Sequence, residues 1–158
     1  FIEGLYHQRR MFGGALPNAW PAAAVALRFV DGYLDDYANA WQVADRLIAL
    51  LPDPLPFGDP WNEYVLANLL LRTGRYEQAA HYAAASYGRH PRSLIATCVA
   101  RAAAALGDDA TAVAWLRTAA DAGTTLDGLL KVIDEAPELA RLRTTRDVTA
   151  IRSRLVHP

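Results

Sequence analysis

The sequence predicts an all-α protein built from short helical hairpins, and three observations predict it. Glycines and prolines fall in clusters that divide the 158 residues into blocks. The blocks are rich in alanine and leucine, which are among the strongest intrinsic helix formers. None shows the apolar–polar alternation that marks a strand.

The first helix is expected over residues 20–33, after the breakers Gly13, Gly14 and Pro17, with Pro21 in its first turn. A second follows over residues 36–51, where Asp35 and Asp36 suit a helix start,. The stretch LPDPLPFGDP, residues 51–60, holds four prolines and a glycine and reads as a connector, the one plausible hinge,. Helices are then expected over residues 61–73 and 76–88, separated at Gly74, and over 93–106 after Pro91. Gly107 and the pair Asp108-Asp109 precede a helix over 109–122, Asp being a good cap,. Gly123 separates this from 126–135, Pro137 ends that block, and the last helix covers 146–155.

Blocks of this length joined by short connectors make antiparallel hairpins, and one hairpin cannot bury its apolar face alone. Repetition is the usual remedy, and the sequence shows it. GRYEQA at residues 74–79 aligns with GDDATA at 107–112, an offset of 33 that keeps glycine and alanine in register. The physical reading is architectural. Gly74 permits the positive φ that reverses one helix into the next. Ala67 and Ala79 let two helices approach closely, Leu66 and Tyr76 fill the space beside them, and Pro91 starts the next unit.

With this period the chain resembles the tetratricopeptide repeat family, whose repeat is about 34 residues. In the block before Pro91, Leu66, Ala67, Asn68, Gly74, Tyr76, Ala79 and Pro91 match that family's pattern. In the next, Val99, Ala100, Gly107, Ala112, Leu116 and Ala119 match in kind, with Asp109 in place of the tyrosine and Thr124 in place of the proline. Tyr37, Ala40 and Pro52 repeat the spacing earlier, with Asp35 for the glycine and Arg28 for the small residue. The resemblance implies a right-handed α-solenoid of about three hairpins, near residues 20–52, 60–92 and 93–124. Residues 125–158 are expected as capping helices that close the apolar end of the stack, and residues 1–19 as a separate N-terminal segment,.

The same resemblance implies a function, the binding of a partner peptide or protein segment in a concave groove. Carried over position by position, the groove would be lined by Trp61, Tyr64, Val65, Asn68, Leu71 and Arg72, and then by Leu94, Thr97, Cys98, Arg101, Ala104 and Ala105. Trp61, Tyr64, Asn68, Arg72 and Arg101 have the chemistry of a peptide site: aromatic area, an amide for main-chain bonds, and guanidinium forks for carboxylates. The alternative for Trp61 and Tyr64 is packing against the connector. The lysines of the family's carboxylate clamp are missing, so an extended or helical peptide with apolar anchors is the expected ligand.

Composition narrows the classes. Hydrophobic residues make up 53% and charged residues 21%, and sixteen Lys plus Arg against seventeen Asp plus Glu leave a net charge of −1. No basic excess points to nucleic acid or to an anionic membrane. The apolar run at residues 22–30 is interrupted by Arg28 and falls short of the roughly 20 residues that span a bilayer,. Cys98 is the only cysteine, so no internal disulfide can form, and a cytoplasmic setting, in a bacterial regulator or assembly factor, is expected,. The four histidines lie apart, without metal-ligand spacing, and neither Ser86 nor Ser93 has a nucleophile-elbow pattern,. A non-enzymatic module without metal or cofactor is therefore expected.

A competing class rests on the stretch HQRRMFGGALPNAWPAAAVAL, residues 7–27, and the segment after it. This is similar to the segment that follows the cofactor lysine in threonine-aldolase-like pyridoxal-phosphate enzymes. It implies a fragment or subunit of a larger enzyme, although the lysine strand and the aspartate that meets the pyridine nitrogen have no counterpart here. The opening FIEGLYHQRRM, without an initiator Met, reads as an artificial boundary, a processing site or the edge of a larger polypeptide,. A third reading is self-association, with Trp61, Tyr64 and the proline-rich connector forming a homodimer contact.

Overall fold

The computed structural model describes residues 60–122 and 126–156, and the expected helices at 20–33 and 36–51, the first hairpin and the N-terminal segment lie outside them. The described residues form six α-helices and one short 3-10 turn, with no strand among them. They are α1 Pro60–Arg72, α2 Tyr76–Arg89, α3 Ser93–Ala105, α4 Asp109–Asp121, α5 Leu126–Glu135, the 3-10 turn Pro137–Leu139, and α6 Arg146–Val156. None is long and apolar enough to cross a membrane.

Most boundaries fall where the breakers put them. Pro60 opens α1 instead of closing the connector, because the first helical position needs no intrahelical N–H and favours proline's fixed φ,. Pro137 begins the 3-10 turn, which interrupts the apolar spacing after α5. The turn's C-terminal neighbour Arg143 donates to the carbonyls of Ile133 and Ala136 at 2.9 and 2.8 Å and so satisfies the end of α5,.

The two glycine turns share one geometry. Gly74 has φ 74° and Gly107 φ 86°. At the first, the Gly74 amide donates to Leu71 at 3.0 Å and the Arg75 amide to Leu70 at 2.9 Å. At the second, Gly107 donates to Ala104 at 3.1 Å and Asp108 to Ala103 at 2.9 Å. This is the paired closing pattern of a helix that ends in a left-handed residue, and it recurs at the 33-residue offset,. A Cβ at either glycine would meet nothing within 4 Å. The demand for glycine is thus one of backbone conformation alone. Gly74→Val is expected to lower stability by about 1–2 kcal/mol, the cost of a left-handed L-residue. Gly88→Ala, inside α2, is expected to raise it by up to about 1 kcal/mol,. Urea unfolding midpoints of the two variants should move in opposite directions; a shared direction would contradict this account.

Packing centres on α3. It touches α1, α2, α4, α5 and the 3-10 turn, while α6 lies against α4 and α5. A helix surrounded on so many sides must be small and apolar nearly all round. Accordingly Ser93, Ile95, Ala96, Thr97, Cys98, Val99, Ala100, Ala102, Ala103 and Ala104 are all buried. One core cluster joins Leu66, Leu69 and Leu70 of α1 to Ala79 and Ala83 of α2 and Ile95, Cys98 and Val99 of α3. A second joins the other side of α3 to Leu116, Leu129, Ile133, Leu139, Val148, Ile151 and Leu155. Tyr87 and Trp115 pack against both, edge to face at 5.1 Å,.

The last helices are tied down at the surface by Arg–Asp pairs. Arg117–Asp147 and Arg154–Asp121 join α4 to α6, and Arg152–Asp134 joins α5 to α6. All are substantially exposed, so each contributes at most about 1 kcal/mol. The apolar residues Val148, Ile151 and Leu155 do most to dock α6.

Candidate functional site

Trp61, Tyr64, Asn68 and Arg72 recur at intervals of three or four along α1, so they form one stripe about 16 Å long,. The stripe starts at an aromatic pair. Trp61 is 51% exposed and its ring lies 5.5 Å from that of Tyr64, tilted by 40°. Tyr64 is half-buried and packs against the first core cluster. Arg72 closes the stripe in the last turn, where a cation complements the helix dipole,.

Asn68 and Arg101 come together across α1 and α3. Arg101 Nη1 donates to Asn68 Oδ1 at 3.0 Å. Its other edge forms a two-pronged bond with Glu138 of the 3-10 turn, Nε to Oε2 and Nη2 to Oε1, both at 3.1 Å. The Arg101 and Glu138 side chains are 14% and 8% exposed. The structure therefore places Arg101 between two internal acceptors, and a partner carboxylate would have to displace Glu138 to reach the fork. Glu138 escaped the sequence reading because it stands 37 residues from Arg101, on an element that proline sets apart.

Several positions carried over as groove-lining are enclosed by neighbouring helices. Val65, Leu71, Thr97, Cys98 and Ala104 are buried. α1 and α3 present fewer open positions than that expectation allowed, since α3 is enclosed by its neighbours.

A second polar cluster lies between α1 and α2. The carboxylate of Glu63 is buried, with 1% of its side chain exposed. It accepts from the Ser86 hydroxyl and from Arg89 Nη2, the latter at 2.7 Å. Both buried members sit on apolar stripes: Glu63 with Leu66, Ala67 and Leu70, and Ser86 with Ala79 and Ala83. That spacing is the signal by which the sequence could have flagged them. The cluster satisfies itself: no buried side-chain polar atom among the described residues lacks a partner.

Asp108 caps α4, accepting from the Thr111 amide at 3.0 Å. Hydrogen bonds from the Thr111 side chain, and then from its amide, hold the Asp108 carboxyl below its ordinary value,. Asp109 beside it pairs with Arg141. The Asp108-Asp109 dipeptide thus serves a helix start and an ion pair. Among the described residues no three His, Cys, Asp or Glu side chains lie together as a metal-binding group.

No known protein family, curated protein or solved structure matches the chain.

Proposed function

We propose that the protein is a non-enzymatic interaction scaffold, a right-handed solenoid of tetratricopeptide-like hairpins that binds a partner peptide along Trp61, Tyr64, Asn68, Arg72 and Arg101. The observation that supports this reading most is the recurrence of one glycine turn, with the same hydrogen bonds, at a 33-residue offset. A recurring hairpin offers a row of equivalent helices and hence an extended binding surface. On that surface Trp61 supplies the exposed aromatic anchor and Arg72 a cation one end of the stripe away,. Arg101, fixed by Glu138, donates to the Asn68 carbonyl and so holds the Asn68 amide in one orientation on that surface,.

The test is selection of peptides from a random display library on the wild-type protein, followed by affinity measurement on Trp61→Ala and Arg72→Ala. Each variant is expected to weaken the selected peptides at least tenfold, the loss of one interface anchor, with an unchanged circular dichroism spectrum. Failure to select any peptide, or wild-type affinity in both variants, would overturn the proposal.

A further inference from the structure

A cavity of about 420 Å³ opens at the corner between α2 and α3, lined by Arg89, His90, Pro91, Arg92, Ser93, Leu94 and Ala122. Its size falls in the range of small-molecule sites, roughly 300–1,000 Å³. Its charge is one-sided. Two arginines and a histidine line it, and among the described residues no Asp or Glu does, in a chain whose net charge is −1.

We propose that this cavity binds the phosphate group of a small phosphate monoester. The buried Glu63–Ser86 pair gives the reason to treat Arg89 as a prepared wall of the site. Glu63 takes one edge of the Arg89 guanidinium, at Nη2, and Ser86 holds Glu63 in place. The Nε and Nη1 donors of Arg89 then meet no acceptor among the described residues. A long side chain that is 43% exposed is thereby held at its guanidinium end by a carboxylate that is 1% exposed. Orienting the fork in advance removes much of the side-chain ordering that anion binding otherwise costs.

Arg92 and His90 complete the polar lining. Arg92 is exposed and forms no ion pair among the described residues. It stands just before α3 with no side-chain cap bond, and the first turn of α3 contains no acid. Among the described residues no acid therefore compensates the positive charge on this side of the cavity, and a dianion offsets it,. Phosphate suits the arrangement better than carboxylate, because two guanidinium groups and an imidazole can each meet a different oxygen of a tetrahedral group. The cavity uses none of the five residues assigned to peptide binding, so either assignment can fail without the other.

The experiment is an amide-resolved NMR titration of the full chain with inorganic phosphate, glycerol 3-phosphate, succinate and sodium chloride at matched ionic strength. Saturable shifts of the Ser93 and Leu94 amides are expected with both phosphates. The variant Arg92→Gln is expected to weaken glycerol 3-phosphate by roughly tenfold, the loss of about one charge-assisted hydrogen bond, with an unchanged melting curve. His90→Gln provides a second variant away from the Glu63 pair. Shifts that chloride reproduces, succinate binding as tight as phosphate, or full affinity in both variants would overturn the assignment.

Discussion

Arginine in place of Ala79 is expected to unfold the protein. Ala79 is fully buried in the cluster where α1, α2 and α3 meet, with Leu66, Leu69 and Ala83 among its neighbours. Its smallness is what lets α1 and α2 approach. A longer side chain forces the helices apart or into poor rotamers, which costs about 1–3 kcal/mol for overpacking. The guanidinium adds an unpaired buried charge worth several kcal/mol more. Together these rival the whole stability of a domain this size, about 5–15 kcal/mol. Ala85→Arg is the control, since Ala85 is exposed on the same helix and should change stability by no more than about 0.5 kcal/mol,. Comparison of far-ultraviolet circular dichroism and thermal melts separates the two. Equal melts would show that position 79 does not sit in a tight crossing.

Local chemistry explains why the helices could be read from the sequence. Gly74, Gly107 and Pro137 each act through their own backbone, and Asp108 acts three residues away, so neighbouring residues suffice to place α1 to α5 within a residue or two. The candidate site was legible only as a list of residue types. Nothing near Arg101 in sequence reveals that Glu138 occupies its fork, because the pairing depends on how the 3-10 turn folds back onto α3. Glu63 was hidden for a different reason. An acid in the first turn of a helix is favourable in any case,, so its burial showed only in the register it shares with Leu66 and Leu70.

The two buried carboxylates obey the same rule with different consequences. Glu63 and Glu138 each face an arginine, and each would be left uncompensated by its loss. Arg89 is 43% exposed and keeps water within reach, whereas Arg101 is 14% exposed. The more enclosed pair therefore has more to lose, and it links α3 to the turn before α6.

Arg101→Met is accordingly expected to destabilise the protein by about 2–4 kcal/mol, because it strands the Glu138 carboxylate in a site with little water,. It also removes the donor to Asn68, which lies on the proposed binding stripe. A loss of partner binding in this variant alone would thus confuse a direct contact with a loosened fold. The double variant Arg101→Met/Glu138→Leu resolves the matter. With both charges gone nothing is stranded, and the double variant should recover most of the stability lost by the single one. Urea unfolding of wild type, both single variants and the double variant gives the coupling energy. Additive losses would mean that the pair is not a coupled unit, and Arg101 would return to the set of groups available to a ligand. Strong coupling would instead identify Arg101 as the brace that positions Asn68, and peptide affinity measured on the stable double variant would then report what Arg101 itself contributes to recognition.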